Sequence, residues 1–192
     1  PKEKTEKDGM FPRPQDVDLG FHDVKEYIQF LETFPFQGIG ISGGEPFLAF
    51  DRLTEYIREI RNVFGKRHYI WMYTNGDLVT KERLAILDQI GLNEIRFDLA
   101  AIDYNLAPVK RAVEHIDTVT IEIPAIPEDV ERVKNLLKQL ETIGVKHLVL
   151  HQLMATKYNQ EHFVDRGYSL CKGIYRTYVP ESELAAFAIL KH

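Results

Sequence analysis

The chain has 192 residues, of which 44% are hydrophobic and 28% are charged. This composition is typical of a globular protein and excludes a mainly disordered or fibrous one. Its 24 basic and 29 acidic residues give a net charge of −5, which disfavours DNA and anionic membrane surfaces as partners. No apolar run approaches the roughly 18 residues of a membrane-spanning helix, and no signal-peptide pattern opens the sequence, so we expect a cytoplasmic location.

The chain begins with charged residues that have no apolar face, and 1–20 is predicted to be an arm or loop. From 21 to 153, runs rich in β-forming residues alternate with segments whose apolar residues recur at helical spacing. The predicted strands are 38–42, 69–74, 94–99, 118–123 and 147–152. The predicted helices are 22–34, 49–64, 80–90, 106–115 and 128–143. Residues 154–192 are predicted to be a C-terminal extension of the same single domain, with one more helix at 181–190.

The spacing of the strands indicates a repeated unit. Their starts lie about 24 to 31 residues apart, which is enough for one strand, one helix and two short loops. This repeat predicts an α/β fold with a parallel sheet and right-handed crossovers, either an open doubly wound sheet or a partial barrel. In both architectures ligands bind at the carboxyl ends of the strands. The segments to inspect are 42–46, 73–77, 98–101, 122–127 and 151–154.

The segment Ser42-Gly-Gly-Glu-Pro46, after the first predicted strand, has the features of a receptor for an amino-acid group. Two glycines allow a ligand to approach the backbone, a carboxylate can accept from an ammonium group, and proline fixes the exit of the turn. A glycine-rich turn with a solvated Glu45 is the alternative. A G-x-G-x-x-G match from Gly38 to Gly43 would suggest a dinucleotide-binding dehydrogenase, but its first two glycines lie inside the predicted strand.

Four motifs occur in order and at βα spacing: SGGEP at 42–46, YTNG at 73–76, IRFDL at 95–99 and IEIPAIPED at 121–129. Together they resemble the radical S-adenosylmethionine (SAM) superfamily, and within it the archaeal-type group related to pyruvate formate-lyase activating enzymes. The resemblance covers almost all of 1–167, including the charged KEKTEKD arm that follows the cluster cysteines in such proteins. It implies a (βα)6-type parallel-stranded barrel with SAM as a cofactor.

The resemblance also implies which residues bind SAM. They are Gly43, Gly44, Glu45, Pro46, Asn75, Asp98, Glu122, Pro124 and His151. Gly43, Gly44 and Glu45 would hold the methionine amino group, in a turn shaped by Pro46. Asn75 and Asp98 would face methionine or ribose. Glu122 and Pro124 would lie against ribose or adenine, and the backbone of 150–152 would contact adenine. Each polar residue also has a structural alternative: Asn75 in an Asn-Gly turn, Asp98 as a helix cap, and Glu122 paired with an arginine such as Arg96.

The sequence departs from the superfamily in its cysteines. The superfamily uses three, usually C-x3-C-x2-C after the first strand, to bind a [4Fe–4S] cluster that cleaves SAM to a 5′-deoxyadenosyl radical for hydrogen abstraction. This chain contains only Cys171, so the cluster ligands are not in it and no metal-binding residue is assigned. We therefore expect a partial barrel whose first strand and cysteine loop precede residue 1. The parent protein would be a radical SAM enzyme, and this chain alone would be inactive.

The alternative is a cluster-free, non-catalytic module of the same fold that binds a ligand or serves in assembly. The enzyme would need a one-electron reductant, whereas the module would not. The sequence does not indicate the substrate, which is either a small molecule or a peptide or protein.

Other residues that carry chemistry give weaker indications. His147 and His151 share a strand face, but their Cβ atoms would lie roughly 13 Å apart at about 3.3 Å per residue, too far to share one metal ion. Cys171 is either a small buried hydrophobic residue, a hydrogen donor to a radical or a ligand to another metal. Trp71 and Met72 lie inside an apolar strand and are predicted to be core residues.

Overall fold

The computed structural model describes residues 20–21, 23–174 and 176–192, so almost all of the predicted N-terminal arm lies outside the described residues. Strands β1 to β8 are Gly38–Ile41, Tyr69–Thr74, Glu94–Phe97, Thr118–Pro124, His147–His151, Met154–Ala155, Cys171–Lys172 and Thr177–Tyr178. Helices α1 to α7 are Val24–Thr33, Phe50–Phe64, Lys81–Gln89, Ala107–Ala112, Val130–Ile143, Gln160–Asp165 and Pro180–Leu190. Among the described residues, no helix is long and apolar enough to span a membrane.

Strands β1 to β5 form one sheet in chain order, and the registers from β1 to β4 are parallel. A helix connects each strand to the next, as a parallel crossover requires. The predicted α/β fold with a partial parallel-stranded barrel is therefore confirmed. Since the strands run in the same direction, the segments that follow β1, β2, β3 and β4 all leave from the same edge of the sheet.

The ends of several elements differ from the predicted ones because short 3-10 helices precede or interrupt them. Pro46–Ala49 and Pro127–Asp129 form 3-10 turns before α2 and α5, each with a proline at its first position. The fixed φ angle of proline suits the start of a helix. A third turn, Leu99–Ile102, begins where strand β3 was predicted to end.

The described residues divide into two compact units. The first contains 20–123 and 140–149, and therefore strands β1 to β3 and most of β4. The second contains 124–139 and 150–192. The prediction of a single domain over 1–192 stays a prediction.

The sheet of the first unit has two chemically different faces. Fully buried apolar residues, among them Ile70, Ile95 and Ile121, form the face that packs into the core. The alternate positions carry aromatic and charged side chains, including Trp71 on β2 and Arg96 on β3, which are only partly buried. This alternation follows from the pleat of a strand, which sends successive side chains to opposite faces.

Trp71 therefore differs from its predicted role, whereas its neighbour Met72 is a fully buried core residue. The indole lies over β1, where Gly38 and Gly40 leave room for it. A Cβ built on Gly40 would lie 2.8 Å from Trp71 Cε2, and one on Gly38 would lie 2.7 Å from Trp71 Cζ3. Packing against tryptophan thus accounts for the two glycines that produced the G-x-G-x-x-G match.

The second unit contains a small antiparallel sheet in the order β6-β8-β7. Ser182, at the start of α7, is fully buried and links two backbone segments. Its Oγ donates to the carbonyl of Ala125 at 2.7 Å and accepts from the amide of Leu153 at 2.8 Å. Helix α6 and the three two-residue strands were not predicted, because such short elements leave no periodic pattern in the sequence.

The packing of Trp71 predicts that Gly40→Ala lowers the free energy of unfolding by about 1 to 3 kcal/mol, because the added methyl group would overlap the indole. Urea unfolding of the purified chain measures this. Gly20→Ala is the matched control, since its added Cβ would meet no atom of the described residues within 4 Å. In a Trp71→Leu background the cost of Gly40→Ala should decrease; an equal cost in both backgrounds would contradict the proposed overlap.

Candidate functional site

The turn after β1 has an exposed backbone in a conformation that only glycine adopts easily. Gly43 has φ 100° and Gly44 has φ 62°, both in the left-handed region that disfavours side chains. Ser42, Gly43 and Gly44 are exposed, whereas Pro46 is buried and begins the following 3-10 turn. The turn can therefore present backbone carbonyl and amide groups to a ligand without an intervening side chain.

The Glu45 side chain connects this turn to the end of β2. Its Oε1 accepts from the Phe47 amide at 3.1 Å and the Thr74 hydroxyl at 2.9 Å. Its Oε2 accepts from the Asn75 amide at 2.9 Å. A carboxylate has about four acceptor sites, so these three donors leave capacity for one more, such as an ammonium group. Glu45 is thus a structural link between two strand ends as well as a candidate ligand-binding residue.

Asn75 and Gly76 form the turn that the sequence allowed as a structural alternative. The Asn75 Oδ1 accepts from the Asp77 amide at 3.0 Å. Gly76 has φ 90°, and a Cβ at this position would lie 3.0 Å from Pro108 Cγ. The Asn75 side chain is half-buried at the carboxyl end of β2, next to the turn that contains Glu45.

Asp98 directly follows β3, and Glu122 lies near the carboxyl end of the neighbouring strand β4. The parallel register pairs Phe97 with Ile121, so the next residues, Asp98 and Glu122, are neighbours at the carboxyl edge. Asp98 is exposed, and its Oδ1 accepts from the Ala100 amide at 3.2 Å. This contact caps the 3-10 turn after β3 and confirms the predicted structural alternative for Asp98.

Glu122 is paired with Arg96, the other structural alternative that the sequence allowed. Arg96 Nη1 donates to Glu122 Oε2 at 3.0 Å, and Arg96 Nε donates to Glu94 Oε1 at 2.7 Å. The Thr120 hydroxyl also donates to Glu94 Oε1, at 2.7 Å. The side chains of Glu94 and Glu122 are only 6% and 8% exposed. One guanidinium therefore joins two nearly buried carboxylates, and we call Glu94, Arg96 and Glu122 the acidic network.

Hydrogen bonds in the acidic network favour the charged forms of Glu94 and Arg96. Burial by itself would raise the pKa of Glu94, but hydrogen bonds from Thr120, Arg96 and Tyr69 outweigh it and hold that pKa below its ordinary value. Burial would also lower the pKa of Arg96, and its hydrogen bonds to both carboxylates raise that pKa instead. The ion pair between Glu94 and Arg96 is therefore retained at neutral pH.

Aromatic rings hold the Arg96 guanidinium from the neighbouring strand. Its central carbon lies 5.1 Å from the centroid of the Trp71 ring and 5.6 Å from that of Tyr73. Such cation–π contacts favour arginine over lysine, because the planar group stacks on rings. Glu94 and the rings were missed as site residues in the sequence, although the two-residue spacing of Glu94 and Arg96 places both on one strand face.

The remaining two predicted site residues, Pro124 and His151, lie at the ends of β4 and β5. Pro124 is the last residue of β4, and His151 is the last residue of β5. The His151 carbonyl accepts from the Ala125 amide at 2.8 Å, so part of the backbone expected to face adenine is already engaged. The roles of Pro124 and His151 in SAM binding stay predictions.

A cavity of about 460 Å³ lies beside β1 in the first unit. The sequence did not predict this cavity. Of its lining residues, only Ser42, Gly43 and Pro46 belong to the segments in which the sequence predicted the site. Its lining residues are mostly apolar: Phe21, Tyr27, Ile39, Gly40, Ile41, Ser42, Gly43, Pro46, Ala49, Arg52, Leu53, Tyr56 and Ile60. Strand β1 is the first strand of the sheet and pairs only with β2 among the described residues. The cavity therefore borders an edge strand that has no second neighbour among the described strands.

The residues of this chain do not fit an iron–sulfur cluster. Three thiolates are needed, and the sequence supplies one cysteine. Cys171 lies on β7 with a partly exposed side chain. Within the described ranges, no group of three or more histidine, cysteine, aspartate or glutamate residues could hold a metal ion.

Comparison with known proteins gives a family and one relative. The model of the radical SAM superfamily matches residues 9–165. A protein of Methanocaldococcus jannaschii is 25% identical over 178 residues, which cover 88% of this chain and 47% of the relative. That protein carries the provisional name of a glycyl-radical enzyme activating enzyme. The chain thus spans about half the length of the curated relative that it matches.

The lowered pKa of Glu94 predicts a pH dependence of stability. The unfolded chain has a glutamate pKa of about 4.3, so between the native pKa and this value the unfolded state binds more protons. The contribution of Glu94 is therefore present above about pH 4.3 and is lost as the pH falls through the native value. Urea unfolding from about pH 3 to pH 6 should show a weaker pH dependence in Glu94→Gln than in the wild type.

Glu55→Gln, on the exposed surface of α2, is the control for this experiment. It should keep the wild-type dependence. An unchanged pH dependence in Glu94→Gln would show that the acidic network does not hold Glu94 in its charged form.

Proposed function

Since the chain belongs to the radical SAM superfamily, we propose that it is the SAM-binding core of a radical SAM enzyme. The observation that carries the proposal is the parallel register of β1 to β4. It brings the glycine turn, Asn75, Asp98 and Glu122 together at the carboxyl ends of the strands, where α/β proteins bind their ligands.

The individual roles follow from the chemistry of each group. The exposed backbone of Gly43 and Gly44, with the remaining acceptor site of Glu45, would bind the methionine ammonium group. Pro46 would fix the turn. Asn75 and Asp98 would bind polar groups of methionine or ribose. Glu122 and Pro124 would lie against ribose or adenine, and the backbone around His151 would contact adenine.

A segment outside this chain would supply the [4Fe–4S] cluster. The cavity and the side of β1 that no described strand covers support this assignment, because an added parallel strand could pair with β1 while its side chains fill the cavity. When bound, the cluster would provide the electron that cleaves SAM to the 5′-deoxyadenosyl radical. The residues of this chain would bind and orient SAM and exclude water. Without that segment, the chain would not perform the reaction.

The relative suggests the substrate class. A glycyl-radical enzyme activating enzyme acts on another protein, so we propose a protein substrate, with hydrogen abstraction from its backbone and a one-electron reductant as second partner. We propose a cytoplasmic location and no role for DNA or a membrane, in keeping with the net charge of −5.

A cluster-free binding or assembly module is the second candidate. The single cysteine of the chain favours it. The two candidates differ in what the parent gene encodes before residue 1 of this chain: three closely spaced cysteines would favour the enzyme, and their absence would favour the module.

SAM binding tests the site in either case. We expect Asp98→Ala to weaken SAM binding by about 1.4 kcal/mol, or about tenfold, because a polar contact to the ligand is lost. Calorimetric titration of the purified protein measures the Kd. Asp23→Ala is a matched control, since Asp23 also caps a helix through its side chain, at the start of α1. An unchanged Kd in Asp98→Ala would remove Asp98 from the site.

Glu45→Ala is a less selective test. It removes an acceptor from three donors, so loss of SAM binding would be accompanied by a lower Tm.

Product formation tests the enzymatic function. The complete parent protein, reconstituted anaerobically with iron and sulfide and given dithionite and SAM, should form 5′-deoxyadenosine. A protein that binds SAM but forms no nucleoside under these conditions would support the binding module.

A further inference from the structure

We propose that Arg96 is a positioning residue that orients the Glu122 carboxylate for SAM, and that Glu94 anchors Arg96. This inference rests on the proposed function, because it assumes that Glu122 contacts SAM. It assigns a role to a charged pair that would otherwise be only a structural ion pair.

Glu94, the proposed anchor, is held in place by contacts that do not involve Glu122. Glu94 is buried, and its Oε1 accepts from the Thr120 hydroxyl and from Arg96 Nε, each at 2.7 Å. Arg96 Nη2 also approaches Glu94 Oε2, at 3.4 Å. Contact through two nitrogens restricts the rotation of the guanidinium as well as its position.

The far side of the guanidinium then faces Glu122. Arg96 Nη1 donates to Glu122 Oε2 at 3.0 Å and lies 3.4 Å from the Tyr73 hydroxyl. The rings of Trp71 and Tyr73 flank the same group. Since Glu94, Trp71 and Tyr73 all contact the Arg96 guanidinium, Arg96 can hold the Glu122 carboxylate in position before a ligand binds. Such preorganisation lowers the entropy lost on binding.

Stability alone does not explain this arrangement well. Burying two carboxylates against one guanidinium costs desolvation free energy, and apolar residues of similar size often stabilise a core equally well. Within the acidic network, two carboxylates face one guanidinium. Carboxylates attract cationic groups, and SAM carries a sulfonium and an ammonium group.

A double-mutant cycle in the complete, cluster-loaded parent protein tests the proposal, with the SAM Kd from anaerobic calorimetry as the readout. Arg96→Lys keeps the charge but cannot bridge both carboxylates, so we expect the Kd to rise about tenfold. In a Glu122→Gln background, Arg96→Lys should change the Kd no further, because its effect passes through Glu122. Lys81→Met, which breaks an exposed ion pair with Glu114, should leave the Kd unchanged.

Glu94→Gln provides a second variant if Arg96→Lys does not fold, and it should raise the Kd about threefold through a looser Arg96. Arg96→Ala adds a rescue experiment, in which guanidinium ion at low millimolar concentration should restore part of the SAM affinity. A lower Tm with an unchanged Kd, or equal Kd changes in both Glu122 backgrounds, would overturn the positioning role.

The outcomes separate this proposal from the proposed function. If wild-type parent protein binds no SAM, the proposed function fails and the positioning role fails with it. If the wild type binds SAM and Glu122→Gln binds it equally well, the chain's role as a SAM-binding core stands, whereas the SAM contact of Glu122 and the positioning role of Arg96 are both overturned.

Discussion

The parallel register of β1 to β4 is the constraint on which the candidate site depends. Neighbouring strands that run in one direction must end at one edge, so residues separated by about 25 positions in sequence become neighbours in space. A shift of one residue in β3 would turn Arg96 from the polar face to the apolar core, and the same shift in β4 would turn Glu122. The buried isoleucines of the opposite face therefore hold the site in register as well as forming the core.

At this edge, structural and ligand-binding roles coincide. Glu45 joins two turns, Asp98 caps a helical turn, and Glu122 pairs with Arg96. Each contact restricts a polar group that the proposed function assigns to SAM. A group fixed by the fold before binding loses less entropy when the ligand arrives. The structural roles of these residues are thus compatible with ligand binding. Their contacts also explain how polar groups at the loop-rich carboxyl ends of the strands are held in defined positions.

The sequence predicted the repeat well because its signals are local. The strand at 69–74 was predicted with the limits that the structure shows, since an apolar run ends there at an Asn-Gly turn. Among contacts between strands, the sequence suggested the Arg96–Glu122 pair, but two others could not be predicted. The role of Gly40 depends on its pairing with Trp71 across β1 and β2, and the burial of Glu94 depends on Thr120 one strand away. The cavity beside β1 arises from helices packed on a strand edge, and no local pattern encodes it.

Amide chemical-shift mapping would test the central claim most directly. On titration of the ¹⁵N-labelled chain with SAM, the account predicts that the largest shifts fall in 42–46, 73–77, 96–100 and 120–122, which lie at or near the carboxyl ends of β1 to β4. Shifts confined to other surfaces, such as the opposite end of α2 around Arg58 and Asn62, would contradict it.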